Sequence, residues 1–463
     1  MIESPFGHRQ VQAASCGTKG GAVHELTSPA RWRALAAILA VATLAVVVAA
    51  SAGPASGHAT SSVTFMSTQL TPVDEQQSFL NVVLKGSPQS VSFVAASSVP
   101  QLTSRVTAEA QAGKGSIDLA GATVGDLETI APYLTNLADV AKALKKAGIP
   151  ASLMNQAKLG TKQQLSIPWM QATYLMAANK KALPYLPKGA DVKHLTWGQY
   201  ARWAKNLDAH FGQPEVGFPA GPTGLFPRFL EGYLLPSFTG HLVTSFESPR
   251  AVAAWLYLKN LWRFVNPQSL TYNFMQDPLL SGEVLVGWDH VARLNGALSQ
   301  QPSNFVVFPA PAGPKGRGFL PVLATIGIPK TAPNPAAAKQ VIEYLDGISP
   351  QAKTISAEGF FPVVAGKLSE KLGPGLLKIA GAVKLQQTSK DALPSVLPIG
   401  LGGQAGAYAK VFVDTFTRLV INKEGNPQGV LKSEGDTLQS LLNAAGAHCW
   451  QPDPPSSGTC TVG

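Results

Sequence analysis

The stretch Ser281-Gly-Glu-Val-Leu-Val-Gly-Trp-Asp-His290 is followed closely by Asn304-Phe-Val-Val-Phe-Pro-Ala-Pro-Ala-Gly313. Its apolar residues 284–286 predict a strand that leads directly into Gly287 and Trp288. A large aromatic ring is therefore expected at a strand end, beside a residue that has no side chain. Strand ends that face a crevice are where α/β proteins bind ligands. Trp288 is thus the leading candidate for a ligand contact, and the alternative is a ring that only closes a core.

Short strands and helices alternate in the part of the chain that follows the apolar N-terminal run. Strands are expected at residues 63–68, 90–94 and 116–120. One intervening helix should begin with Thr71 as its N-cap and proline at its first position, and a second helix should span residues 99–111. This β-α-β-α-β order predicts a parallel sheet with flanking helices.

Residues 165–180 form a long extended stretch, which we interpret as the first crossover between two lobes. A helix is expected to follow it, with Thr196 and Gln199 forming a capping box. The same cap-then-proline device recurs further along the chain and predicts three more helix starts. They are Ser248-Pro249, Asn334-Pro335 and Ser349-Pro350.

The bulk composition limits the class of protein. A chain of 463 residues exceeds what one hydrophobic core usually supports, so two lobes are expected. The net charge of +10 raises the question of nucleic-acid binding. The lysines and arginines are scattered singly, without a run of five or a basic stretch interleaved with aromatics. We therefore expect no nucleic-acid partner.

The N-terminal region has the pattern of an export signal. Arg31 and Arg33 precede an uninterrupted apolar run at residues 34–50, and small residues follow, with possible cleavage after Ala52 or Ala59. An uncleaved signal anchor is the alternative, because the run is nearly long enough to span a bilayer. No cysteine directly follows the run, so the sequence offers no site for a lipid anchor. The protein is expected outside the cytoplasmic membrane.

The cysteines agree with export. Cys16 lies before the apolar run, whereas Cys449 and Cys460 enclose a loop rich in proline and glycine near the C-terminus. Two cysteines alone in an exported segment predict a disulfide. A zinc site is not favoured, because only His448 lies nearby and structural zinc takes four ligands.

Common catalytic motifs are missing from the sequence. It contains no Gly-x-Ser-x-Gly elbow, His-Glu-x-x-His helix, phosphate-binding P-loop or Cys-x-x-Cys pair. Gly400-Leu-Gly-Gly-Gln-Ala405 mimics a dinucleotide fingerprint, but Pro394 and Pro398 break the strand that should precede it. We expect neither a cofactor nor a metal ion. A glycosidase with a pair of carboxylates stays open as an alternative.

Several motifs resemble those of family 1 extracellular solute-binding proteins, the sugar-capturing partners of ABC importers. The element ending at Trp288 is similar to that family's Gly-Pro-Trp element, although Gly287 replaces the proline. Ala178 departs from the family, which usually has tyrosine before Asn179. The resemblance extends over roughly residues 60–445. Its other motifs, in chain order, are Asn179-Lys-Lys-Ala-Leu183 with Leu195-Thr-Trp197, Phe246-Glu-Ser-Pro-Arg-Ala-Val-Ala-Ala-Trp255, and residues 328–345 with 349–352.

This resemblance implies an α/β, two-lobed fold of the periplasmic-binding-protein type, with each lobe a sheet flanked by helices. The expected function is capture of a sugar or oligosaccharide by hinge closure, without catalysis, for the membrane permease of an ABC importer. We expect a monomer. Other solutes, such as glycerol phosphate or a polyamine, are the alternative ligands. The expected divisions are a tail with the export signal (1–59), a first lobe (60–172 and 315–362), a second lobe (173–314 and 363–445) and a disulfide-containing tail (446–463).

A sugar site needs aromatic faces for the ring and amides, carboxylates or arginine for the hydroxyl groups. In the resembling family the tryptophan is a stacking platform, which assigns that role to Trp288. Asp289 has the alternative of a helix N-cap, and Trp169 the alternative of a core residue. Arg228 or Tyr233 is a further possibility. The candidate ligand contacts are Gln69, Asp118, Trp169, Gln171, Thr173, Trp288, Asp289, Arg293, Phe361 and Tyr408.

Overall fold

The structure is a computed structural model that describes residues 62–367 and 371–463. The predicted export segment lies outside these residues. Within them, strands and helices alternate along the chain. The strands are β1 Ser62–Ser67, β2 Ser90–Ala95, β3 Leu119–Thr123, β4 Ile167–Ala172, β5 Tyr174–Asn179, β6 Val216–Gly217, β7 Val286–His290, β8 Phe305–Phe308, β9 Arg317–Phe319, β10 Val322–Gly327 and β11 Ala392–Pro394.

Helices cover both sheets and form much of the C-terminal part. The α-helices are α1 Val73–Ser78, α2 Val99–Gln111, α3 Val124–Leu127, α4 Ala138–Ala143, α5 Ala151–Gln156, α6 Trp197–Phe211, α7 Phe226–Phe229, α8 Leu235–Thr239, α9 Pro249–Leu261, α10 Gln276–Ser281, α11 Val291–Gln300, α12 Pro335–Leu345, α13 Ile348–Glu358, α14 Pro374–Thr388, α15 Ala405–Phe416 and α16 Pro427–Ala445. Short 3-10 or π segments extend several of them, among them Phe79–Val83, Glu128–Tyr133, Leu230–Leu234 and Thr417–Ile421.

The first sheet has the strand order β2-β1-β3-β10-β4. The strands β2, β1 and β3 run parallel, as the sequence predicts, whereas β10 is antiparallel to both β3 and β4. The third strand begins at Leu119, later than the predicted residues 116–120. The carboxylate of Asp118 accepts a hydrogen bond from the Thr64 amide at 2.9 Å. A side-chain oxygen, and not a backbone carbonyl, therefore accepts this amide at the position where β3 was expected to pair with β1.

The second sheet has the order β6-β7-β5-β8, with β5 antiparallel to both β7 and β8. Its register pairs Trp288 with Met176. The predicted strand at residues 284–286 is therefore displaced toward the C-terminus, and Trp288 lies inside β7 and not at its end. A ring in the middle of a central strand is covered by the sheet's own packing, and Trp288 has 0% exposure.

Helix ends follow the sequence signals in some places and depart from them in others. Helix α6 has the predicted capping box, since Thr196 and Gln199 bond each other's backbone amides. Helix α1 starts later than predicted, with Pro72 at its N-cap, so Thr71 does not cap it. Helix α13 starts at Ile348 after Gly347, one residue before the expected Ser349 cap. His290 is the N-cap of α11, so Asp289 does not have that alternative role.

The chain passes between the two sheets at segments that lie close together. Only Thr173 separates β4 of the first sheet from β5 of the second. The Thr173 hydroxyl donates to the carbonyl of Leu320, which precedes β10, at 2.9 Å. Gln171 and Phe361 form a β-bridge beside them. The sheets are therefore joined by adjacent segments, while the lobe boundaries given above stay a prediction.

Candidate functional site

A cleft of about 430 Å³ lies where the ends of both sheets and their connecting loops meet. Both the strand ends of the first sheet and the helices next to the second sheet contribute to it. The residues that line it are Thr68, Gln69, Thr71, Ala96, Ser97, Ser98, Val99, Thr123, Asp126, Tyr174, Thr223, Leu225, Arg228, Phe274, His290, Arg293, Val322, Phe360 and Leu397.

The first wall of the cleft carries small polar side chains. It is formed where the parallel strands β1, β2 and β3 end, because the carboxyl ends of parallel strands share one edge of a sheet. Gln69 is half-buried, and its amide nitrogen is 3.3 Å from the hydroxyl of Thr68. Ser98 caps α2 by accepting the amide of Gln101 at 3.4 Å. Hydroxyl and amide groups on this wall can bond the hydroxyl groups of a ligand. We define it as the polar wall (Thr68, Gln69, Ser97, Ser98, Thr123).

The second wall presents aromatic rings, and we define it as the aromatic wall (Tyr174, Phe274, His290, Phe360). Tyr174 is the first residue of β5, immediately after the crossover. Its ring stacks on Trp288 with a centroid distance of 4.7 Å and an interplanar angle of 7°. Tyr233 packs edge-on against both rings. Tyr174 is thus held rigidly, and it covers Trp288 on one face.

The hydrogen bonds of Tyr233 fix the same corner. The hydroxyl of Tyr233 accepts the amide of Tyr174 and donates to the carbonyl of the same residue, each at 3.0 Å. It also lies 3.1 Å from the Thr173 hydroxyl. Burial raises the pKa of Tyr233 to about 12. The phenol therefore stays protonated and keeps the tyrosine ring of β5 in place at the crossover.

Two arginines line the cleft, each beside a carboxylate. Arg228 donates to Glu231 at 2.9 Å and lies 3.7 Å from Asp126. Arg293 forms a buried ion pair with Glu75 and places its guanidinium 4.9 Å from the centre of the Phe274 ring.

The charge on two neighbouring groups depends on their burial. Burial, together with the charge of Arg293, holds the pKa of His290 well below its usual range, so the imidazole is neutral. Burial raises the pKa of Asp289 to about 7, even though its carboxylate accepts the amides of Met275 and His290. Asp289 lies outside the cleft lining, and the neutral His290 of the aromatic wall adds no positive charge to the cleft.

The structure brings few of the predicted contacts into the cleft. Gln69 and Arg293 line it, and Phe360, the neighbour of the predicted Phe361, does so as well. Arg228, considered as a further possibility, also lines it, whereas Tyr233 lies behind Tyr174. The role of each as a ligand contact stays a prediction.

Both predicted tryptophans lie in the core and not at the cleft. Trp169 is 1% exposed and packs against Phe65 and Phe79, with centroid distances of 5.2 and 5.6 Å. Trp288 is covered by Tyr174 and by Phe229, whose ring centroid is 5.2 Å away. The physical reasons differ: Trp288 belongs to β7, a strand with neighbours on both sides, whereas Trp169 belongs to the edge strand β4 and is covered by the rings of Phe65 and Phe79.

Other predicted contacts have structural partners instead. The fully buried Asp118 accepts the backbone amides of Thr64 and Asn334. Gln171 donates to the carbonyl of Pro362 at 2.9 Å, and Phe361 is its bridge partner. These side chains join segments of the chain, and the structure places them outside the cleft lining.

The remaining predicted contacts are also buried among protein groups. Thr173 is bonded to Leu320, and Asp289 accepts two backbone amides. Tyr408 is 1% exposed and packs against Trp450, with 5.5 Å between the ring centroids. It borders a small cavity of about 20 Å³ that shares Asp126 and Arg228 with the main cleft.

Sequence reasoning missed several residues that line the cleft. Tyr174 directly follows the predicted contact Thr173, and His290 directly follows the predicted contact Asp289. In both strands the residue that lines the cleft is therefore the one after the residue that was predicted. Phe274 and Asp126 were not selected. A tyrosine that starts a strand after a crossover was a usable signal for Tyr174. No sequence signal marks Phe274, which lies in a loop that only the tertiary fold brings to the cleft.

The C-terminal tail is fastened to the second half of the chain. Cys449 and Cys460 form a disulfide, with 4.6 Å between their Cα atoms. The carboxylate of Asp453, between them, accepts the amides of Val243 and Thr244 at 2.9 and 2.8 Å. These bonds anchor the tail to the segment that precedes α9.

Two properties follow from the described part of the chain. It has no group of three or more histidine, cysteine, aspartate or glutamate side chains suited to holding a metal ion. Among residues 62–367 and 371–463, no helix is both long and apolar enough to cross a membrane.

The family model described as bacterial extracellular solute-binding protein matches residues 89–350, which is more than half of the chain. The chain therefore belongs to this family, and the membership implies an extracytoplasmic location. No significant match was found among curated protein sequences.

Solved structures with this fold show a two-lobed periplasmic binding protein. Maltose-bound MalE3 of T. maritima is 18% identical, with a TM-score of 0.68 over 82% of this chain and 100% of that chain. The GacH receptor of Streptomyces glaucescens, solved unliganded and with acarbose, is 16% identical, with a TM-score of 0.66 over 82% and 98%. UgpB of Mycobacterium tuberculosis, in complex with glycerophosphocholine, is 14% identical, with a TM-score of 0.66 over 83% and 99%.

Proposed function

We propose that the protein captures a sugar or oligosaccharide in the cleft and delivers it to the membrane permease of an ABC importer. The observation that carries this proposal is the contrast between the two sides of one cleft. The rings of Tyr174 and His290 come from strands of the second sheet, and the hydroxyl and amide groups of the polar wall come from the strand ends of the first. A pyranose has both apolar C–H faces and a rim of hydroxyl groups, so it matches both walls.

Tyr174 is the proposed platform for the sugar ring. Tyr174 starts β5 and lines the cleft together with Phe274, His290 and Phe360, with 3% of the residue exposed. The stacked Trp288 supports it from behind, so little conformational entropy is lost when a ligand binds. This revises the role that the sequence assigned to Trp288.

Hinge closure is the proposed mechanism. The two sheets are joined by adjacent segments at Thr173, at Leu320 and at the bridge between Gln171 and Phe361. Such narrow connections allow one lobe to rotate on the other, and a ligand that contacts both walls favours the closed state. The permease would recognise that closed shape.

Binding without catalysis is favoured over a glycosidase. Glycoside hydrolysis normally uses two carboxyl groups on opposite sides of the scissile bond. Among the described residues that line the cleft, Asp126 is the only carboxylate, and it faces Arg228 at 3.7 Å. Glu75 and Glu231 lie behind the arginines that they pair with.

A second candidate ligand class consists of non-sugar solutes such as glycerol phosphate or a polyamine. The similarity to UgpB, which was solved with glycerophosphocholine, is the observation that keeps this candidate. At 14% identity this similarity concerns the fold, and the maltose-bound and acarbose-bound structures are at least as similar, with identities of 18% and 16%.

The proposed setting follows from the family and the N-terminal sequence. The export signal at residues 31–50 would carry the chain across the cytoplasmic membrane, where it would act as a monomer, either released or held by an uncleaved signal anchor. Fractionation of the native host tests this proposal. An intact cytosolic form would contradict it.

A thermal-shift screen with neutral sugars, polyols, phosphorylated polyols and polyamines tests the ligand class. A ligand at 100 times its dissociation constant should raise the free energy of unfolding by about 2.7 kcal/mol. We expect the hits among the neutral sugars. Mass spectrometry of the recovered sugar is the control, and a chemically altered sugar would instead support an enzyme.

A further inference from the structure

The cleft has an unusual charge distribution for so basic a protein. The whole chain has a net charge of +10. Of the described residues that line the cleft, Arg228 and Arg293 are the cationic ones, and each meets a carboxylate from the other side of the molecule. Burial and Arg293 keep His290 neutral by lowering its pKa. No cationic charge at the cleft is therefore left without a partner.

The carboxylates come from the first-sheet side and the arginines from the second. Asp126 lies on α3, directly after β3, whereas Arg228 lies on α7. Glu75 lies on α1, and its partner Arg293 on α11, which follows β7. Arg228 has a second carboxylate partner, Glu231, on its own side. Three carboxylates thus face two guanidinium groups.

Asp126 is fixed in the position that masks Arg228. The hydroxyl of Thr123 donates to one carboxylate oxygen of Asp126 at 2.6 Å. The other oxygen is 3.7 Å from a guanidinium nitrogen of Arg228, which is too far for a direct hydrogen bond. The carboxylate is 16% exposed and lines the cleft, so a ligand that approaches Arg228 also approaches Asp126.

We propose that Asp126 is a specificity-determining residue that excludes anionic ligands from the cleft by masking the guanidinium of Arg228. An unmasked arginine in a cleft would attract phosphate and carboxylate groups through paired hydrogen bonds. With Asp126 in place, a bound anion lies beside a like charge in a partly desolvated site. A hydroxyl group, in contrast, can donate to Asp126 and accept from Arg228 from a position beside the pair.

This inference rests on the proposed function and narrows it. It favours an uncharged ligand and disfavours phosphorylated polyols, which the similarity to UgpB leaves open. It also identifies the cleft-facing side of the pair formed by Asp126 and Arg228 as the place where a ligand hydroxyl group contacts both residues.

The test uses inorganic phosphate as the probe, because it requires no knowledge of the natural ligand. The unmodified protein, Asp126→Asn and Asp139→Asn are titrated with phosphate by calorimetry and thermal shift at constant ionic strength. Asp139 pairs with Lys339 at 2.6 Å on the exposed surface, so its substitution changes the net charge equally, away from the cleft.

We expect no saturable phosphate binding to the unmodified protein or to Asp139→Asn. Asp126→Asn should gain saturable binding, with an affinity at least about tenfold above any residual value. Saturable binding to the unmodified protein would overturn the proposal. So would a gain in Asp126→Asn no larger than that in Asp139→Asn. Asp126→Ser, a smaller neutral replacement, provides the same comparison if the asparagine variant does not fold.

The sugar screen separates this inference from the proposed function. If no neutral sugar binds but Asp126 excludes phosphate, the proposed sugar ligand is wrong and the exclusion of anions by Asp126 is supported. If a neutral sugar binds and the unmodified protein also binds phosphate, the exclusion of anions by Asp126 is wrong and the proposed sugar capture is supported.

Discussion

The polar wall and the aromatic wall of the cleft are built in different ways. The polar wall consists of residues at the ends of parallel strands, where short polar side chains project from the sheet edge. The aromatic wall is assembled from the start of β5, from the end of β7 and from loops around residues 274 and 360. Its leading ring, Tyr174, depends on a second layer, since Trp288 stacks directly behind it. The position of the polar wall is therefore set by where the strands of one sheet end, whereas the position of the aromatic wall is set by side-chain packing between different elements.

The largest effect is expected from removing that second layer. Trp288→Ala should lower the free energy of unfolding by about 3–5 kcal/mol, because it leaves a cavity among Tyr174, Phe229 and Tyr233. Chemical denaturation without ligand measures this loss. Trp288→Phe is the control and should recover part of the stability. Unchanged stability with a large loss of affinity would restore Trp288 as a direct ligand contact.

A charge effect is expected behind the aromatic wall. Burial, reinforced by the nearby Glu75, raises the pKa of Glu358 to about 8 from 4.5. Between these pH values the unfolded chain has released this proton while the folded protein retains it, so the free energy of unfolding falls as the pH rises.

Glu358→Gln should remove this dependence. The variant should match the unmodified protein near pH 4.5 and exceed its stability by up to a few kcal/mol above pH 8. Denaturation curves across this range measure the difference. Glu343→Gln, at an exposed position of α12, is the control and should show a constant small difference. A Glu358 variant that parallels the unmodified protein at every pH contradicts the prediction.

The ligand platform itself should give the next largest effect. Tyr174→Ala removes the proposed stacking ring and should weaken binding of the sugar found in the screen by about 2 kcal/mol, or thirtyfold. Tyr174→Phe should keep most of the affinity. Calorimetric titration measures both, with Tyr185→Ala, a half-buried tyrosine outside the cleft, as the control. Equal affinity in Tyr174→Ala would place the site elsewhere.

The smallest effect is expected on the polar wall. Gln69→Ala should cost about 1 kcal/mol, or roughly fivefold in affinity, since a neutral hydrogen bond has a modest net value. Gln77→Ala, on the exposed surface of α1, serves as its control. A loss larger than that of Tyr174→Ala would reverse the relative importance of the two walls.

The two walls also differed in how well they could be predicted. Gln69 was found because a strand period that ends in a polar residue marks the edge of a parallel sheet. Trp288 was misplaced because periodicity does not specify where β7 begins, and a shift of two residues moved the ring from the strand end into the strand. Arg293 lines the cleft because α11, which carries it, follows β7 directly.

The amino-acid sequence by itself determined the alternation of strands and helices, the capped start of α6, the pairing of Cys449 with Cys460 and the family. Each is carried by residues close together in the chain, or by motifs in a fixed order. Only the tertiary structure decided that Tyr174 covers Trp288, that Phe274 reaches the cleft and that Asp126 faces Arg228. Asp126 and Arg228 are about a hundred residues apart in the chain. Their contact depends on how the two sheets are placed, which local propensity does not specify.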